Sequence, residues 1–155
     1  MATENIKFKI ELFATYWDKK PICEIFINNE SHYVGEISGS ENNPTIIEFT
    51  HNCEHDKDYK FTIHRQGKDL SQTIVEDGKI VKDQMLHIKA LEIDEIDMGA
   101  LVYEGEYKPE YPQPWASEQT DLPPTLKNVT VMGHNGTWTL SFKSPFYMWL
   151  LEHLY

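Results

Sequence analysis

No apolar run in this chain of 155 residues approaches the ~20 residues that a membrane-crossing helix needs. The amino terminus, MATENIKFKIEL, lacks a basic region followed by an apolar core, so no signal peptide is expected. Basic residues are few, 14 against 25 acidic ones, for a net charge of −11. That balance argues against nucleic acid, whose phosphate backbone is bound mainly by Lys and Arg. It favours a cationic partner or divalent cations. Two cysteines, Cys23 and Cys53, are too few for a disulfide framework and are expected to behave as small buried hydrophobes. Nucleophile motifs, glycine-rich phosphate loops and metallohydrolase signatures are all missing, so a non-enzymatic protein is expected.

What the chain has is alternation. IKFKIELFATYW places Ile6, Phe8, Ile10 and Leu12 on one face, with Lys7, Lys9 and Glu11 opposite, as in a half-buried strand. ICEIFINN, TIIEFTHN, YKFTIHRQG, MLHIKALEID and GALVYEGEY read as further strands. Asp77-Gly78, between two apolar runs, is a strong hairpin signal. Many short strands with turns at this spacing predict an all-β sandwich or jelly roll.

EYKPEYPQPW interrupts the pattern. Prolines at 109, 112, 114, 123 and 124 bar helix interiors and central strands. The expected organisation is a sandwich over 1–107, a proline and aromatic connecting arm over 108–127, and a C-terminal unit over 128–155. In that unit Asn135-Gly136 predicts a hairpin. Ser144 and Pro145 predict the start of a short helix, PFYMWLLEHLY. That helix is apolar nearly all round and must be covered on more than one side, so a neighbouring subunit is a candidate cover. Tyr111 and Trp115 of the arm, with Phe146, Trp149, Leu150 and Tyr155 of the helix, are the expected partner contacts.

Other candidates stand beside plainer readings. His51, Cys53 and His55 alternate in HNCEHD and are zinc ligand types. Alternate strand residues lie ~6.6 Å apart, too far for three of them to share one ion easily, so a polar turn is preferred. EIDEID offers oxygen atoms to calcium but lacks EF-hand spacing and reads more simply as a solvated face. Tyr16 and Trp17, where the first strand ends, are candidate sugar-stacking rings.

Two resemblances follow from these segments. Around KDQMLHIKALEIDEID the first ~100 residues resemble the calcium-dependent xylan-binding carbohydrate modules, a small β-sandwich class. That likeness implies a glycan ligand and a calcium cofactor, with Asp83 as the metal ligand carried over. TIVEDGKIVKDQMLHIKALEIDEIDM, YPQPW and GHNGTWTLSFKSPFYMWLLEHLY are similar to small virion-associated proteins of marine cyanobacterial tailed phages. This second likeness spans roughly the last 85 residues and supplies no catalytic residue. His134 departs from its pattern. It implies a virion protein, made in the host cytoplasm, that assembles with itself or other virion proteins. The leading expectation is therefore a non-enzymatic phage structural protein. The alternative is a calcium-dependent carbohydrate-binding module for host surface polysaccharide.

Overall fold

The computed structural model describes residues 2–154. Two antiparallel sheets pack face to face. In the first, strands run in the order β12 (Val131–Met132), β8 (Met85–Ile93), β1 (Thr3–Thr15), β4 (Thr45–Glu54), and β9 (Ile96–Asp97) also pairs with β8. In the second the order is β11 (Leu126–Lys127), β10 (Glu106–Pro109), β13 (Gly136–Ser144), β5 (Lys57–Gln66), β2 (Ile22–Ile27), β3 (Glu30–Glu36). The hairpin β6 (Ile74–Glu76) and β7 (Lys79–Lys82) stands apart from both sheets. Its turn residues, Asp77 and Gly78, have φ of 53° and 77°, the left-handed pair that the Asp-Gly signal announces. The fold is an all-β sandwich with one short helix, α1 (Phe146–Leu154).

The core follows from the alternation. Ile6, Phe8, Ile10 and Leu12 are all fully buried. Tyr59, Phe61 and Ile63 bury the facing side of the second sheet. Phe8 meets Phe61 and Phe142 across the sandwich, with ring centroids 5.8 Å apart in both pairs. Along β8 the parity changes. Glu11 pairs with Ala90 but Leu12 pairs with Ile88, so a bulge at Lys89 returns Leu91 and Ile93 to the core after Leu86 and Ile88. Cys23 and Cys53 are both free and buried, and burial pushes each thiol up to about 12.

Several expectations are corrected. β13 lies between β10 and β5, inside the second sheet, so 128–155 is part of the sandwich and not a separate unit. β12 pairs with β8 in the first sheet, so Asn135-Gly136 is a crossing between sheets and not a hairpin. Asn135 is claimed by long-range bonds to Arg65 and Lys68, which override the local turn preference. The arm begins as strand: Glu106–Pro109 pairs with β13 and β11. GALVYE forms a 3-10 turn over Gly99–Glu104 in place of the expected strand. The helix start is capped from a distance, because the Glu4 carboxylate accepts from the Ser144 hydroxyl and from Phe146 N at 2.9 Å.

Trp138, fully buried in β13, packs its ring edge-on to Phe61 at 6.2 Å. Gly105 leaves room for that ring: a Cβ there would stand 2.3 Å from Trp138 Cζ2. Gly105→Ala is expected to cost about 1–3 kcal/mol through overpacking, read as a lower urea midpoint with an unchanged slope.

Candidate functional site

One end of the sandwich gathers loop residues around a buried polar network. Arg65, at the end of β5, is fully buried and donates Nη1 to Asn135 Oδ1 at 3.0 Å and Nη2 to the Gln84 carbonyl at 2.8 Å. Burial lowers its guanidinium to about 10, which leaves it charged at neutral pH. Lys68 N also donates to Asn135 Oδ1, and Asn135 Nδ2 returns a bond to the Lys68 carbonyl. The Lys68 ammonium sits 2.7 Å from Asp83 Oδ1 and 2.5 Å from the Gly133 carbonyl. Asp83 Oδ1 accepts as well from Thr73 Oγ1 and from Gln84 N, each at 2.8 Å. This network locks the loops at 67–73, 83–84 and 133–135 into one platform.

Above it lies a cleft of about 440 Å³, lined by Lys68, Asp69, Leu70, Thr73, Glu110, Pro112, His134 and Asn135. His134 is its aromatic lining residue, and two rings of the arm pack on it. The His134 ring meets Tyr111 at 5.3 Å and Trp115 at 5.9 Å, and Tyr111 and Trp115 lie 6.3 Å apart. Two hydrogen bonds hold the arm in place. Tyr111 Oη donates to the Pro123 carbonyl at 2.6 Å, and Glu110 N donates to the Asn135 carbonyl at 2.6 Å. Tyr107, buried beneath, donates its hydroxyl to the His134 carbonyl and accepts from His134 N. Burial, with the nearby charges of Lys68 and Arg65, lowers the His134 pKa, so its ring is neutral at neutral pH. The cleft thus combines one flat neutral ring, backed by Tyr111 and Trp115, with two carboxylates and an amide in a volume typical of small-ligand sites.

The other expected residues separate from one another. Trp17 remains 43% exposed, donates Nε1 to the Gln72 carbonyl at 2.9 Å, and has Lys82 Nζ 4.7 Å above its ring. It is therefore tied to the turn that forms one cleft wall, but its ring pairs with Lys82 and not with Tyr111 or Trp115. Tyr16 is 39% exposed beside it. Asp83, expected as a calcium ligand, has its Oδ1 engaged by the Lys68 ammonium, Thr73 Oγ1 and Gln84 N. Phe146, Trp149 and Leu150, expected as partner contacts, are buried against this protein's own sandwich. Tyr155 lies outside the described residues. None of the residues that line the cleft, His134 and Asn135 included, stands out as a site residue in the sequence, which points only to their neighbours Tyr111 and Trp115.

The acidic EIDEID segment is the turn between β8 and β9 with its flanks, and its two glutamates are paired with lysines. Asp94 and Glu95 carry φ of 52° and 66° between β8 and β9. Glu92 lies 3.5 Å from Lys9, and Glu95 3.8 Å from Lys7. Elsewhere, Glu30, His32 and His51 bring three metal-ligating atoms within 4.8 Å of one another.

Titration at this end has a consistent sign. Burial tends to raise Asp83, but the bonds from Lys68, Thr73 and Gln84 N outweigh it and hold the carboxyl below its ordinary range. Burial lowers His87 and, with Lys68 and Arg65, His134. In all three the unfolded chain binds protons first, so stability is lost as pH falls. Urea midpoints are expected to drop in two stages, one below about pH 6.5 from the histidines and one below about 3.9 from Asp83.

No protein-family model matches the chain, and no curated protein matches it. Among solved structures the chain is similar to "vCBM60 in complex with galactobiose", at 7% identity and a TM-score of 0.46, over 86% of this chain and 95% of that one.

Proposed function

We propose that the protein is a non-enzymatic carbohydrate-binding module that takes an oligosaccharide in the end cleft. The observation that carries this reading is the cleft itself, where His134 stands beside Asp69, Glu110 and Asn135, with Tyr111 and Trp115 packed on the His134 ring. Sugar rings present apolar C–H faces and equatorial hydroxyls, which suit planar aromatics flanked by hydrogen-bonding groups. A neutral His134 suits a neutral glycan. Calcium is not needed for this mode, because the carboxylates reach hydroxyls directly. The test is a glycan array probed with the full chain, with and without EDTA. Binding that survives EDTA is expected. Binding to no glycan under either condition would sink the reading.

A second reading, assembly with other copies in a phage particle, has its own observation. Tyr147, Met148, Leu151 and Leu154 form an apolar stripe on α1, each 52–61% exposed. Deleting the helix would be a poor test, since Phe146, Trp149 and Leu150 complete the core. Leu151→Glu leaves that core intact. If the stripe drives assembly, light scattering gives an oligomer for the wild type and a monomer for this variant. A monomer for both contradicts it.

A further inference from the structure

Strands β3 and β4 are the outer edges of different sheets, and three side chains join them. Glu30 and His32 come from β3, and His51 comes from β4. His32 Nε2 and His51 Nδ1 are 2.9 Å apart. One carboxylate oxygen, Glu30 Oε2, lies 3.0 Å from His32 Nε2 and 2.8 Å from His51 Nδ1. Three candidate ligand atoms therefore form a nearly equilateral triangle.

Hydrogen bonds alone satisfy this triangle poorly. Three contacts need three bridging protons, but each imidazole nitrogen carries at most one and a carboxylate carries none. At least one contact sets lone pair against lone pair, or N–H against N–H. A cation removes the conflict, because all three lone pairs then point at one centre. Atoms spaced this way can all lie about 2.0–2.1 Å from one ion that sits roughly 1 Å above the plane of the triangle, and that is the bond length zinc takes with His nitrogen and carboxylate oxygen.

The imidazoles are set in place before any ion arrives. The His32 ring stacks on Phe49 at 4.4 Å, and Phe49 stacks on Phe8 at 5.1 Å in the core. The His51 ring stands edge-on to Tyr59 at 5.9 Å. Both His side chains are about 15% exposed, while Glu30, 63% exposed, closes the triangle from the solvent side. Two nitrogen ligands exclude the hard cations calcium and magnesium as preferred occupants.

We propose that Glu30, His32 and His51 form a site for a zinc-class divalent ion that staples the two sheets together at their edges. Three protein ligands leave a further position for water. The staple stabilises the fold, because the site exists only where β3 and β4 meet and an unfolded chain does not assemble it. This inference is independent of the glycan reading.

The test uses untagged full-length protein, stripped with chelator and titrated with zinc by calorimetry, with cobalt absorption as a second readout. One zinc per chain is expected, with a melting temperature raised by about 5–10 °C at zinc well above its dissociation constant and no response to calcium. Glu30→Gln, at an exposed side chain, and His51→Gln are each expected to weaken binding at least about 10-fold. Circular dichroism shows whether each variant is folded, and Glu30→Gln keeps the test decisive if His51→Gln is not. Substoichiometric binding, or binding unchanged in a folded Glu30→Gln protein, would overturn the proposal by assigning the zinc to other histidines.

Discussion

A Tyr111→Ala/Trp115→Ala double variant is expected to bind glycan about 100-fold more weakly than the wild type, roughly 10-fold for each ring. Tyr111 and Trp115 pack on His134, which lines the cleft, so removing both leaves that wall residue unsupported and takes away the rings at its edge. Neither ring belongs to the buried core, and the melting temperature should move little. That separation matters: a loss of affinity with unchanged stability places the rings in binding, whereas a parallel loss of both makes them only fasteners of the arm. Trp17→Ala provides contrast. Its ring is occupied by Lys82, so glycan affinity should fall by less than about 3-fold.

Arg65→Ala is expected to lower stability by about 3–5 kcal/mol. The change removes a fully buried side chain and two charge-assisted bonds, to Asn135 Oδ1 and the Gln84 carbonyl. The effect should also reach the site. Asn135 is both a partner of Arg65 and a wall residue of the cleft, and its carbonyl anchors the arm through Glu110 N. Glycan affinity should therefore fall even under conditions where the variant remains folded. Lys68→Met tests the ion pair separately: Asp83 loses its ammonium, its folded pKa rises back towards the unfolded value, and the stage of stability loss below about pH 3.9 should shrink. Denaturant titration at several pH values checks both variants.

The sandwich was legible because its signals are local. Alternation along Ile6–Leu12 and Tyr59–Ile63, together with Asp77-Gly78, depends only on neighbouring residues, and the structure keeps all of it. The organisation of the last third was not legible, for the opposite reason. Asn135-Gly136 carries a hairpin signal, but Arg65 and Lys68, some 70 residues upstream, hold Asn135 elsewhere. The apolar helix told of burial without saying what covers it. Phe146, Trp149 and Leu150 turn inward, and the outward stripe of Tyr147, Met148, Leu151 and Leu154 is what remains for a partner.

The cleft itself was not legible, only the rings beside it. Tyr111 and Trp115 stand out by composition, while His134 and Asn135 gain meaning only when the chain crosses between sheets and brings them under the arm. Spacing within HNCEHD told only part of the story, for a related reason. The strand rise correctly separates His51 from Cys53 and His55, and Cys53 is buried in the core. The ligand atoms that do meet His51 come from Glu30 and His32 on another strand, which no linear spacing reveals.

The claim that the end cleft binds glycan is tested most directly by titrating isotope-labelled protein with neutral oligosaccharides and following every backbone amide by NMR. Shifts concentrated at 68–73, 110–116 and 133–135, saturating together, are predicted. Saturating shifts centred on any other surface, or none with any glycan that the array retains, would contradict it.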